Sequence, residues 1–273
     1  MRNLLSANLL RLRKSGLFWG LLGAMFAFGL LFTLQHLDHY LKWDAKFYLT
    51  IDLFTYALLL GFGMAVFIPL FFGAEYSDGT IRNKLTAGHS RLSIYLSHLI
   101  TSVVAALCAA GAYVLPVLAV GLFIYEPPAL EPETLILLAL GTLALLAAYC
   151  ALYTLVTMNC SRKSGAAVIC LVGMLVLYLA AGNIEVPLMH PEYLNWVVTE
   201  AGETVPGEPN PRYVGGTARV VLETIQDLLP TGQSLQYMRA EVAHPARLPL
   251  YSLIDIAAFT AIGAALFRKK DLK

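Results

Sequence analysis

The 273-residue chain is 58% hydrophobic and only 14% charged, with a formal net charge of +1. An average soluble domain carries roughly 25% charged residues, so the composition excludes a single water-soluble core and points to a membrane. The near-zero net charge gives no reason to expect nucleic acid as a partner.

Residues 1–15, MRNLLSANLLRLRKS, predict a short amphipathic helix. Leu5, Leu9 and Leu12 share one face, while Arg2, Arg11, Arg13 and Lys14 supply basic charge for anionic membrane lipid or for a topogenic flank. Six apolar stretches follow, at about 16–36, 51–73, 94–125, 134–157, 165–182 and 249–267. Each approaches the roughly 20 residues that cross about 30 Å of hydrocarbon. The first is expected to stay as a membrane helix, because its apolar core is too long for a signal peptide and no small-x-small site follows it. The third is longer than needed, which implies tilt, a kink at Pro116 or an extension beyond the membrane. Gly16, Gly20 and Gly23 in the first span, and Gly61 and Gly63 in the second, are candidates for close helix contacts.

The charge pattern orients the chain. With the N-terminus inside, 13 of the 19 Lys and Arg fall on the cytoplasmic side: Arg2, Arg11, Arg13, Lys14, Arg82, Lys84, Arg91, Arg162, Lys163, Arg268, Lys269, Lys270 and Lys273. Glu75, Asp78 and Asp271 accompany them. A bias of this size predicts both termini in the cytoplasm. The expected fold is therefore an all-α integral membrane protein. It has six transmembrane helices in one domain over 1–273, an amphipathic N-terminal helix, and a large extracellular segment, 183–248, between helices 5 and 6.

His36, Asp38 and His39 in the loop at 37–50 are ligand types, but three such residues at a membrane surface are weak grounds for a metal. Asp52, at a helix start, reads as a capping residue. Asp255 lies a few residues into the last span and is a candidate for a polar pathway, because a carboxylate in a membrane is costly. Cys108, Cys150, Cys160 and Cys170 form no C-x-x-C pair and read as small buried residues. The 183–248 segment begins rich in Pro and Gly, as a loop does. A helix is expected over Thr217–Leu229, ended by Pro230 and Gly232, with a second short one over Ser234–Val242. The segment is expected to rest on the outer membrane surface or on neighbouring spans.

Phosphate-loop, dinucleotide, zinc-protease and nucleophile-elbow motifs are all missing from the sequence. Ionisable groups are scarce in the spans, which argues against an ion-coupled carrier. Any energy source is expected on another polypeptide.

One charged interruption stands out: FFGAEYSDGTIRNKLTAGHSR, residues 71–91. Gly79 and Thr80 open a helical stretch that Gly88 stops, with Ile81 and Leu85 sharing a face and Arg82, Asn83 and Lys84 covering the rest. Placed between two spans, it is a short amphipathic peg suited to a cytosolic groove. Glu75 four residues before Gly79-Thr80, with Ser90-Arg91 before the third span, resembles the ABC-2-type permeases, the membrane subunits of ATP-driven exporters. The chain departs from that pattern at Gly88-His89, where many members have a proline, and at His98, where a lysine is common. The resemblance extends to the span count, the N-terminal helix and the tail FRKKDLK.

The resemblance implies that Glu75, Asp78, Gly79, Thr80, Ile81, Arg82, Lys84, Leu85 and Arg91 form a segment docking on cytosolic ABC ATPase subunits. ATP and Mg would be bound there, with no cofactor and no enzyme site in this chain. It also implies a second permease copy or a homologous permease as partner, and a bacterial plasma membrane. Leu229-Pro230-Thr231-Gly232-Gln233 looks most like permeases of peptide-antibiotic export or self-protection. The alternatives are a non-transporting sensor or assembly protein and, with less support, an ion-coupled carrier.

Overall fold

The computed structural model describes residues 1–43, 47–128, 130–198, 204–240, 242 and 244–271. Helix α1 (Arg2–Lys14) leads into α2 (Gly16–Trp43). The single turn α3 (Thr50–Leu53) precedes α4 (Tyr56–Ser77), and the short α5 (Thr80–Thr86) separates α4 from α6 (Arg91–Ile124). Then come α7 (Pro132–Asn159) and α8 (Lys163–Leu188), the antiparallel strands β1 (Trp196–Val198) and β2 (Thr204–Pro206), and α9 (Gly216–Leu228), α10 (Pro230–Arg239) and α11 (Arg247–Lys269). Among the described residues six stretches are long and apolar enough to cross a membrane: α2, Thr50–Tyr76, α6, α7, α8 and α11. The protein is an all-α membrane bundle.

Helix α4 is central. Ala57, Leu60, Met64, Ala65 and Ile68 on it are fully buried, among α2, α6, α7 and α8, while α11 lies along α7. Tyrosine hydroxyls pin the registers of this core. Tyr153 donates to the Gly61 carbonyl at 2.8 Å, Tyr56 and Thr142 share a 2.7 Å hydrogen bond, and Tyr149 and Ser234 share another at 2.7 Å. Lipid offers such groups no alternative partner, so each bond fixes where one helix stands against the next.

Most of the basic side chains gather at one end of the bundle. There the end of α4 approaches the start of α8, a methyl on Gly73 falling 2.7 Å from Lys163 Cβ, and the start of α6 meets the end of α11. The opposite end carries the hairpin, α9 and α10.

Several local expectations are corrected. Helix α2 does not stop near residue 36. It runs on to Trp43, helped by the i,i+4 pair of Lys42 with Asp38 at 2.8 Å. Residues 44–46 of the expected loop, and Lys273 of the tail, lie outside the described residues. The buried stripe of α1 is Leu4, Asn8 and Leu12, with Leu5 and Leu9 on its flank. Helix α9 stops just before Pro230, as expected, and Pro230 in addition opens α10 at its first position, where a missing N–H costs nothing. Helix α10 takes the second of the two expected placements, against neighbouring spans, and sits deep: Thr231, Gln233, Ser234 and Tyr237 are fully buried among α4, α7 and α8. Gly16, Gly20 and Gly23 have open space around them, and the close approach of α2 is at Gly29, against the Tyr113 backbone. Cys150 and Cys170 are buried, but Cys108 is exposed on the side of α6.

Candidate functional site

The turn between α4 and α5 is built by glycine. Gly79 sits in the left-handed region at φ +66, a conformation that costs other L-residues roughly 1–2 kcal/mol, and this reverses the chain so that α5 folds back beneath α4. Gly88, at φ +84, releases the chain again, and Ser90 caps α6 by accepting from the Ser93 N–H at 3.2 Å.

Folding back brings Lys84 of α5 against Glu75 of α4. Lys84 Nζ donates to both carboxylate oxygens of Glu75, at 2.9 and 2.7 Å. Glu75 is 2% exposed, and two further groups face it: His98 Nε2 of α6 at 3.1 Å and the Arg11 guanidinium of α1. Arg11 also donates to the Phe71 carbonyl and lies over the Phe71 ring at 4.4 Å. Asn8, buried in the middle of the α1 stripe, donates to Ser97 Oγ at 3.3 Å and accepts from Lys84 Nζ at 3.3 Å. One carboxylate thus holds four elements, α1, α4, α5 and α6, through charge-assisted hydrogen bonds.

The rest of α5 divides into two faces. Ile81 is buried and Leu85 packs beside it, in a cluster with Leu4, Ile94, Tyr95, Met158, Ala264 and Phe267 from α1, α6, α7 and α11. Arg82, Asn83, Thr86 and Ala87 are exposed. Asp78 and Gly79 lie at the turn and Thr80 opens the helix. Arg91 turns away from α5 and donates to the Phe267 carbonyl of α11 at 2.9 Å and to that of Lys270. Lys270 lies 4.0 Å from the centre of the Tyr76 ring and donates to the Met158 carbonyl at 3.3 Å. Its burial pushes the ammonium down from the ordinary 10.5.

The expected segment therefore comes together only in part. Glu75, Lys84, Ile81 and Leu85 form the buried side, Arg82 stands outward, and Arg91 secures the far end of α11. Asn8 and Arg11 belong to the cluster and were not expected there. The signal for Asn8 was a polar residue midway along an apolar stripe, between Leu4 and Leu12. Arg11, expected as a cation for lipid or as part of a topogenic flank, turns inward to Glu75.

Asp255 is elsewhere, twelve residues before Phe267 on α11, or roughly 18 Å along the helix at 1.5 Å per residue. It is buried, with Oδ2 lacking a hydrogen-bond partner among the described residues. One turn earlier, Ser252 donates to Gln233 Oε1 of α10 at 2.6 Å. Asp52 lies in the first turn of α3, where a carboxylate suits the helix dipole, but makes no cap hydrogen bond. It is buried at the opposite end, facing His36 Nδ1 at 3.0 Å and accepting from Tyr125, while Tyr113 donates to its carbonyl at 3.1 Å. Among the described residues no group of three or more His, Cys, Asp or Glu is placed to hold a metal.

The geometry has a matching family. A family profile described as ABC-2 family transporter protein matches residues 4–182, which take in α1, the ion cluster, α5 and nearly all of the first five membrane helices. No curated protein matches the chain. With about two thirds of its length covered by that match and six helices long enough to cross a bilayer, the chain belongs to the ABC-2 family of transporter proteins and is a multi-pass plasma-membrane permease.

Proposed function

We propose that the chain is the permease of an exporter driven by a separate cytosolic ABC ATPase, with α5 as the element that docks on it. The observation that carries this reading is the two-sidedness of α5. Its inner face is locked by Ile81, Leu85 and the Glu75–Lys84 pair, while Arg82 and Asn83 on the other face are exposed. A force applied to the exposed face is passed through a buried ion cluster to α1, α4 and α6 together. The basic end then faces the cytoplasm, as the positive-inside bias requires, with both termini there. ATP and Mg act on the partner, and this chain supplies no site for them.

The interior of the single bundle is filled by Tyr113, Tyr149, Tyr153 and Met64. The pathway accordingly forms against a second permease copy or a homologous permease. Helix α8 supports this with a broad uncovered apolar side that includes Val168, Val172 and Val176. The cargo is hydrophobic or peptide-like, released on the side of α9 and α10.

The test uses Arg82→Glu, which reverses charge on the exposed face, and Gly79→Pro, whose ring cannot take a φ of +66. With membrane insertion checked, both are expected to lose ATPase co-purification and cargo-stimulated ATP hydrolysis. Retention of assembly and transport in both variants removes α5 from the coupling role. Tight assembly with no stimulation by any cargo assigns a non-transporting role instead.

A further inference from the structure

Far from the ion cluster, a cavity of about 420 Å³ opens between the last turn of α8 and the polar faces of α9 and α10. Charged side chains of both signs line it. Arg219 Nε donates to Glu223 Oε1 at 2.9 Å, and Arg239 Nη1 lies 3.3 Å from Glu185 Oε1. These pairings leave capacity of each sign unused. Arg219 Nη1 is buried with no acceptor among the described residues. Among the described residues Asp227 receives only a neutral donor at close range, Gln236 Nε2 at 2.9 Å, with His244 and Arg247 also biasing it. Burial pushes its carboxyl up from the ordinary 3.8, the sign of an anion short of a counter-charge.

The other face of α9 fixes the depth of this cavity. Val220, Val221, Ile225 and Leu228 are 61%, 50%, 40% and 45% exposed, an apolar stripe directly beside the end of a membrane span. An amphipathic helix of that kind lies in the interface with its apolar side among acyl chains. Its polar side, and the cavity behind it, then stand at head-group level.

We propose that this cavity binds the head group of a zwitterionic aminophospholipid from the leaflet at that end, its ammonium on Asp227 and its phosphate on the free Arg219 N–H. A primary ammonium supplies the donors Asp227 lacks, and phosphate accepts the guanidinium donor that is otherwise stranded. Lipid fits better than a soluble zwitterion because Met189, exposed on the cavity wall, and Val186 one turn before it on α8 give the acyl chains an apolar path out of the cavity. The inference does not depend on ATPase coupling.

The experiment reads lipid occupancy on the full-length protein by native mass spectrometry, with phosphatidylethanolamine, phosphatidylcholine and phosphatidylglycerol supplied in turn. Phosphatidylethanolamine is expected to bind about tenfold more tightly than either, because the trimethylated head group has no N–H and the glycerol head group has no cation. Asp227→Asn removes that preference, and Arg219→Gln weakens all three, with melting temperatures confirming that both variants are folded. Equal binding of the three lipids by the unaltered protein overturns the proposal without reference to any variant. So does a preference that survives Asp227→Asn. A protein indifferent to head groups that instead binds dialanine through the same two residues assigns the cavity to peptide and overturns the lipid assignment.

Discussion

Replacing Glu75 by Gln keeps the shape of the side chain and removes one charge. The site is 2% exposed, and the charge faces Lys84 at 2.7 Å, His98 at 3.1 Å and Arg11. Removing one member of a buried ion pair costs about 3–5 kcal/mol, mostly because the remaining charges are left without compensation. The three partners are not equally stranded. The Arg11 side chain is 37% exposed and can swing to water, whereas Lys84 is 13% exposed and is held beneath α4. Most of the penalty should therefore come from Lys84, and adding Lys84→Met to Glu75→Gln should recover about 1–3 kcal/mol. The assay is a double-mutant cycle from denaturant unfolding in bilayer nanodiscs, with Glu75→Gln, Lys84→Met and the pair. A double variant whose loss equals the sum of the singles, within about 0.5 kcal/mol, refutes the reasoning.

Other outcomes follow from the same structure. Gly79→Val should cost about 1–3 kcal/mol, but Gly79→Asn much less, because the space around Gly79 is open and only its positive φ resists substitution; thermal melting separates the two. Gly61→Val should destabilise by about 1–3 kcal/mol against Met174 and Tyr149, while Gly20→Val stays within about 0.5 kcal/mol; both are read by the same melting assay. Asp227→Asn should raise stability of the lipid-free protein at pH 7. The Asp227 pKa is raised on folding, so the folded state binds more protons between 3.8 and the raised value, and stability declines as pH rises through that window. The advantage of Asn should accordingly fade as pH falls toward 3.8, and a gain that persists there contradicts the assignment of that carboxyl.

The spans were legible because a bilayer demands long apolar runs, and nothing in the tertiary structure can override that demand. The α4–α5 turn was legible for a similar reason: Gly79 is a backbone requirement written as a residue. The partners of Glu75 were not. Arg11 and Asn8 lie 64 and 89 positions from the groups they contact, and about half a turn of rotation of α1 decides whether a cation meets lipid or carboxylate. The depth of helix α10 was not legible, because its sequence is polar. Thr231, Gln233 and Ser234 look like surface until their partners, Leu177 O, Asp227 O and Tyr149 OH, are supplied by helices elsewhere in the chain.

That buried polar helix also constrains how the protein is made. Ten residues reach about 15 Å, half the hydrocarbon thickness, so α10 cannot be handed to the bilayer as a span of its own. Its Gln233 and Ser234 find no partners in lipid, and beyond the Ser234 bond to Pro230 O within α10 they gain them from side chains of α7 and α11 and the nearby α9 backbone. The earlier helices must already stand together when Pro230–Arg239 enters between them, and α11 then closes the last bond through Ser252. Assembly at this end is a late step, separable in time from the insertion of the spans themselves.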